Sequence, residues 1–278
     1  MKGTARRRLA REDGLAGAGP IRRIFLGAAA GLFGLAAALA AGPPFFTDDP
    51  EPIGFRHWEF YIASAQTKSG GNYSGSAPHF EINYGIAPGA MIHVIIAAGF
   101  DRPARTAVRY GLGDAEIGLK YRFIEETDGR PQIGVFPHLE LPTGASRRGL
   151  GSGQVQVFLP VWAQKSWGPW TSYGGGGYWI NPGPGNRNYW WFGWEIQREL
   201  SKSVTVGAEL FTNTRPALVT PAATGINLGS IVTLGSASSA LLSVGRSIGG
   251  PRAYFVYIAY YLTFGPGESN RPHSLARL

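Results

Sequence analysis

Seven acids, Glu59, Glu81, Asp114, Glu116, Glu140, Glu195 and Glu209, occupy alternate positions in runs whose other positions are apolar. Two bases, Lys120 and Arg122, share that pattern. Charges arrayed on one face of a closed sheet are what sets ion preference inside a pore. A second set of alternate positions is aromatic: Tyr61, Phe136, Phe158, Trp162, Trp191, Phe255, Tyr257 and Tyr261. Apolar walls with a few polar groups suit a small organic solute, or else the rings pack together and close the space. A lipid hydrolase would instead need a serine, a histidine and a polar third residue gathered together. Of the five histidines, His57, His79, His93 and His138 share the acids' face, His273 lies near the end, and none has a serine at recognisable spacing. The absence of cysteine removes thiolate metal sites and cysteine nucleophiles. GLGSG, residues 149–153, lacks the lysine of a phosphate loop, and TDDPE, residues 47–51, lacks the spaced ligands of a calcium loop. No cofactor or metal is expected.

The elements that carry these residues are strands. In GDAEIGLKYRF, residues 113–123, the residues Asp114, Glu116, Gly118, Lys120 and Arg122 fall on one side, and Ala115, Ile117, Leu119, Tyr121 and Phe123 on the other. About twelve such runs follow one another, near 56–65, 78–86, 91–98, 113–124, 131–141, 154–165, 168–180, 188–199, 203–213, 224–235, 239–247 and 253–264. Many reach the roughly 9–11 residues that a tilted strand needs to cross a bilayer. No segment with helical period exists to cover the apolar face. The expected fold is all-β: a transmembrane, antiparallel, up-and-down β-barrel of about twelve strands, apolar residues toward lipid and polar residues toward an aqueous lumen. The lumen candidates are therefore Glu59, Glu81, Asp114, Glu116, Lys120, Arg122, His138, Glu140, Phe158, Trp162, Glu195, Glu209 and Tyr257.

Connections alternate in length. Long ones include AQTKSGGNYSGSA and PTGASRRGLGSG, short ones GIAPG and LSKS, the asymmetry of outer loops and periplasmic turns. The long connections carry Arg102, Arg105, Arg109, Arg147 and Arg148, with Asp101 the acid among them. Such a rim could bind lipopolysaccharide phosphates, or simply be solvated.

Glycine (41 residues), aromatics (13 %) and a low charged fraction (16 %) fit a sheet with many turns. Of the net charge of +8, +5 sits in residues 1–40, where seven bases face two acids. That segment reads as a cleaved signal peptide, with an apolar stretch and an Ala-Leu-Ala site at 38–40; an uncleaved membrane anchor is the rival. RRIFLG also resembles a twin-arginine signal. The basicity thus belongs mostly to the leader, and no nucleic-acid partner is expected. Residues 41–55 form a Pro-rich lead-in expected to be solvated and periplasmic, 56–264 the barrel and 265–278 a tail. The last strand resembles the signal read by the barrel-assembly machinery, through Tyr257, Ala259, Leu262 and Phe264, except that the tail follows it.

PFFTDDPEPIGFRHWEF (44–60), GLGDAEIGLKYRF (111–123) and HLELPTG (138–144) together resemble the outer-membrane transporter family named for the meta-pathway of phenol degradation. The resemblance implies a β-barrel in the outer membrane of a Gram-negative bacterium and passage of small organic compounds, aromatic ones included. It carries no catalytic residue. The alternative functions are a closed structural barrel and a lipid-modifying enzyme.

Overall fold

The computed structural model describes residues 42–266; residues 1–40, expected to be a signal peptide, and most of the expected tail lie outside the described residues. Fourteen strand segments form one sheet: β1 Trp58–Ser69, β2 Asn72–Ala87, β3 Ala90–Arg102, β4 Arg109–Leu112, β5 Ala115–Ile124, β6 Gln132–Val135, β7 His138–Leu141, β8 Gln156–Trp167, β9 Trp170–Ile180, β10 Tyr189–Ser201, β11 Val204–Asn213, β12 Ala223–Gly235, β13 Ser238–Gly249 and β14 Ala253–Phe264. Segments β4 and β5 make one interrupted stave against β3, and β6 and β7 another against β8, so the barrel has twelve staves. Each stave pairs antiparallel with its neighbours, and β1 pairs with β14 from Trp58↔Phe264 to Ser69↔Ala253. The ring is closed. Among the described residues only the short β4 lacks a partner strand on one side; elsewhere the ladders leave no free edge, which is what a hydrocarbon environment demands.

Alternation sorts the side chains. Outward positions are exposed and apolar, as in Ile117, Leu119 and Tyr121 of β5 or Leu159 and Val161 of β8, and inward positions are buried. Bases that point outward, Lys165, Arg198 and Arg246, lie within three residues of a strand end. Aromatic rings gather at both ends of the wall: Trp58 packs on Tyr84 at 4.3 Å and on Phe264 at 6.3 Å, and Trp190 on Tyr178 at 4.9 Å. This is the girdle arrangement of barrels in lipid. Leu228, 63 % exposed in the middle of β12, gives a direct test. Leu228→Arg is expected to cost about 2–4 kcal/mol in folding titrations into lipid vesicles, whereas a water-solvated face would tolerate it with almost no loss.

Gly174 to Gly177 of β9 serve as partners for neighbouring rings. Phe192 lies across Gly176, and Trp194 lies against Gly174 with its indole Nε1 donating to Ser172 Oγ at 2.6 Å. Together they border an apolar groove of about 720 Å³ on the outer surface.

Two connections differ from expectation. The first long loop is a tight turn at Gly70-Gly71, both at positive φ, because β1 and β2 continue through its polar residues. Arg102 and Arg109 likewise stand in strands, not in a loop.

Candidate functional site

The lumen has a polar wall and an aromatic wall. The polar wall runs from β14 through β1, β2 and β3 to β5 and β7. Tyr261 OH donates to Glu59 Oε1 (2.9 Å), and Asn83 Nδ2 donates to Glu59 Oε2 (3.1 Å) and Glu81 Oε1 (3.0 Å). His93 contacts Asn83 Oδ1 through Nδ1 (2.7 Å) and Glu116 Oε1 through Nε2 (3.1 Å), and His138 Nδ1 lies 3.8 Å from the same Glu116 oxygen. Buried polar groups joined this way stiffen a wall, because each would be costly alone. Glu140 is buried beside this chain, and Glu195 on β10 is fully buried with neither carboxylate oxygen hydrogen-bonded among the described residues.

The aromatic wall spans β8 to β14. Phe158 stacks on Trp179 at 4.8 Å, Trp179 on Tyr189 at 6.0 Å, Trp162 meets Trp191 edge-on at 5.9 Å, and Trp191 stacks on Phe211 at 6.4 Å. Tyr61, Phe136, Phe255, Tyr257 and Tyr261 belong to the same buried cluster. Every aromatic residue that alternation assigned to the inside is buried there.

The Pro-rich segment is not a solvated lead-in. Residues 43–50 enter the lumen and plug it, with Phe45, Phe46, Thr47 and Asp48 buried. The physical reason is threefold. Pro43, Pro44, Pro50 and Pro52 carry no N–H, so few donors need partners inside. The plug's acids answer the two inward bases. Lys120 Nζ is 2.8 Å from Asp48 Oδ1 and 3.5 Å from Asp49 Oδ1, and Arg122 is 3.5 Å from Glu51 Oε1. Finally, the wall is hollowed to receive the rings. A Cβ on Gly207 or Gly229 would lie 2.8 Å or 2.7 Å from Phe45 Cζ, so only glycine leaves room for that ring.

Thr47 is fixed by Glu209, which accepts from its hydroxyl at 2.6 Å and from its backbone N–H, while Asn227 Nδ2 holds the other carboxylate oxygen at 2.7 Å. Ser243 Oγ donates to Pro44 O at 2.6 Å. Between plug and wall remains a polar cavity of about 130 Å³, bordered by Asp49, Glu51, Glu59, Tyr173 and Gln197 among others.

Of the lumen candidates, Glu59, Glu81, Glu116, His138, Glu140, Phe158, Trp162, Glu195 and Tyr257 line the walls, while Lys120, Arg122 and Glu209 hold the plug. Asp114 does neither. It sits in the break between β4 and β5 and accepts from Gly144 N (2.8 Å), Ser152 N (2.6 Å) and Ser152 Oγ (2.8 Å), pinning the 142–155 loop across the barrel end. Arg109 is paired with Asp101 across β3 and β4, whereas Arg102, Arg105, Arg147 and Arg148 are exposed on the rim. Alternation could not find Phe45, Phe46 and Thr47, which precede the first strand.

No protein-family model and no curated protein matches the chain, so the resemblance to the phenol-degradation family gains nothing from its sequence. Solved structures do match. An outer-membrane channel from Pseudomonas putida F1 aligns with a TM-score of 0.60 at 14 % identity, over 78 % of this chain and 98 % of that one. The KdgM porin, solved in complex with disordered oligogalacturonate, aligns with a TM-score of 0.52 at 11 % identity, over 73 % and 99 %. The fold is an outer-membrane-type β-barrel. At these identities the likeness speaks for architecture alone.

Proposed function

We propose that the protein is an outer-membrane channel for small organic solutes, held shut in this structure by its own N-terminal segment. The observation that carries the reading is the lumen's division into a hydrogen-bonded polar wall and a continuous array of rings. A barrel kept only for mechanical strength needs neither an acidic face nor a separate plug seated in glycine hollows. Porin and channel barrels share the architecture, which supports a place in the outer membrane of a Gram-negative bacterium. In that setting the barrel-assembly machinery would insert the chain, the outer leaflet's lipopolysaccharide would face the exposed Arg102, Arg105, Arg147 and Arg148, and Arg109 would contribute only on leaving Asp101.

The second reading, a closed structural barrel, is favoured by the packing of Phe46 among the lumen rings. Solute flux separates the two. Proteoliposomes bearing the intact protein, or a form lacking residues 43–52, are compared for uptake of phenol, benzoate, benzylamine and glucose. Seven inward or near-inward acids oppose anions. The expected order in the shortened form is phenol and benzylamine fastest, benzoate slower and glucose slowest. No rate above that of empty vesicles in either form would leave the structural reading standing, whereas equal rates for all four would show an unselective pore and overturn the stated solute preference.

A further inference from the structure

The polar cavity of about 130 Å³ between plug and wall has room for more than a single water, and approaches the roughly 150 Å³ of apolar cavities that take up benzene. Glu59 and Ser239, the second residues of β1 and β13, border it, so it lies toward the barrel end that the short turns mark as periplasmic. Gln197 and Tyr173 border it as well. Gln197, Ser239 and Tyr173 are 8 %, 2 % and 7 % exposed, yet none of these side chains makes a hydrogen bond among the described residues. Buried polar groups normally have partners, and the space these three share is the cavity.

Charge and size narrow the occupant. Asp49 and Glu51 already face Lys120 and Arg122. Glu59 takes its hydrogen bonds from neutral donors, Tyr261 OH at 2.9 Å and Asn83 Nδ2 at 3.1 Å, and a carboxylate can accept about four. Its charge is therefore the one at this cavity without a close base, and a buried charge is costly until it is paired. An anion is opposed by all three carboxylates. A bare metal ion does not fit either, since no three acids or histidines among the described residues stand close enough together to hold one. Tyr61 and Tyr261, with ring centroids 4.7 Å apart, add aromatic faces that attract a cation, and Ile231 and Leu241 add an apolar side. The unpartnered amide oxygen and hydroxyls accept hydrogen bonds, which a primary ammonium donates three at a time and a quaternary one cannot.

We propose that this cavity is a binding site for a small aliphatic primary ammonium ion, its N–H groups bonded to Glu59 and Gln197 and its alkyl part packed on Ile231 and Leu241. The site goes beyond the channel reading, because it is formed with the plug seated and needs no conduction. Its border joins Asp49 and Glu51 of the plug to wall residues, so a bound ion bridges the two and holds the plug in place.

The test is titration calorimetry on the folded protein in detergent, with butylammonium, tetramethylammonium and 1-butanol as probes and heat-dependent gel mobility as the check that each variant is a closed barrel. Butylammonium is expected to bind saturably and about tenfold more tightly than either of the other two. Glu59→Gln and Gln197→Leu should each weaken it about tenfold, and Ser239→Leu, which fills the space, should abolish it. Thr67→Val, a buried change in β1 away from the cavity, should leave it unaltered. Limited proteolysis gives a second readout. Because the site exists only with the plug seated, butylammonium at ten times its dissociation constant should slow cleavage within residues 42–54 about tenfold, and 1-butanol should not. Equal affinity for butylammonium and 1-butanol overturns the proposal, as does binding that survives Glu59→Gln, Gln197→Leu and Ser239→Leu in closed barrels. Saturable butylammonium binding in a protein that passes no solute upholds this site and rejects the channel reading alone.

Discussion

Excision of residues 43–52 is expected to turn a barrel that blocks current into one that carries it. In the intact protein the segment places two phenylalanines and three acids, Asp48, Asp49 and Glu51, inside the barrel, and the cavity left beside it is only about 130 Å³. No wall strand depends on the segment for its backbone pairing, since the β1 ladder begins at Trp58 and closes on β14 without it. Removing it should therefore leave the barrel folded, with unchanged heat-dependent gel mobility. In planar bilayers the shortened protein should show discrete steps with cations preferred over anions, because the inward acids of the wall still outnumber Lys120 and Arg122, the two bases that excision frees from Asp48, Asp49 and Glu51. A folded, shortened protein that stays silent across the voltage range would show that the wall residues close the lumen by themselves.

Lys120→Met carries the other large effect. The ammonium is buried, 2.8 Å from Asp48 and over the Phe136 ring at 5.0 Å. Taking away one partner of a buried ion pair costs about 3–5 kcal/mol, because the remaining charge has no counter-ion and no water. Here the stranded charge is on a segment tethered at one end to the wall, so the protein can relieve it by withdrawing the plug into water and need not unfold. The expected result is a barrel of nearly normal thermal stability whose segment 42–54 becomes open to proteolysis and whose current resembles that of the excised form. The double variant Lys120→Met with Asp48→Leu should close again, since the charge that drove withdrawal is gone; failure to recover would mean that Lys120 supports the wall and not the plug.

These outcomes depend on a part of the molecule that alternation does not reach. The barrel was legible because period two forces a choice of face at every residue. In β5, Glu116 and Lys120 cannot share a side with Ile117 and Leu119, although the parity shifts by one residue at the Gly113-Asp114 break, with Tyr110 and Leu112 outward in β4 and Ile117 and Leu119 outward in β5. Parity survives the interruption at Phe136-Pro137, so Gln132 and Glu140 point inward from either side of it. Asp114 fell outside the pattern because it stands in a break, where its carboxylate is drawn to the loop N–H groups nearby.

The plug was missed for a different reason. Prolines made residues 42–54 unfit for a strand, and absence of regular structure was read as exposure to solvent. A signal was nonetheless present. The inward face carries two bases, Lys120 and Arg122, and three acids, Asp48, Asp49 and Glu51, stand ahead of the first strand. Glycines opposite no large outward ring, Gly207 and Gly229, were the other half of that signal, but their meaning requires knowing what fills the hollow.

The plug is joined to β1 by a stretch of only a few residues, from Ile53 to His57. A short tether fixes the local concentration of its end at the order of millimolar. Any freely diffusing molecule that contends for the same place faces this standing rival, and the concentration it needs is that effective value scaled by the ratio of its own dissociation constant to the segment's. On the proposed channel reading, the length of one connecting segment thus bears on how readily the plug is displaced, and lengthening it by inserted glycines and serines would make displacement easier.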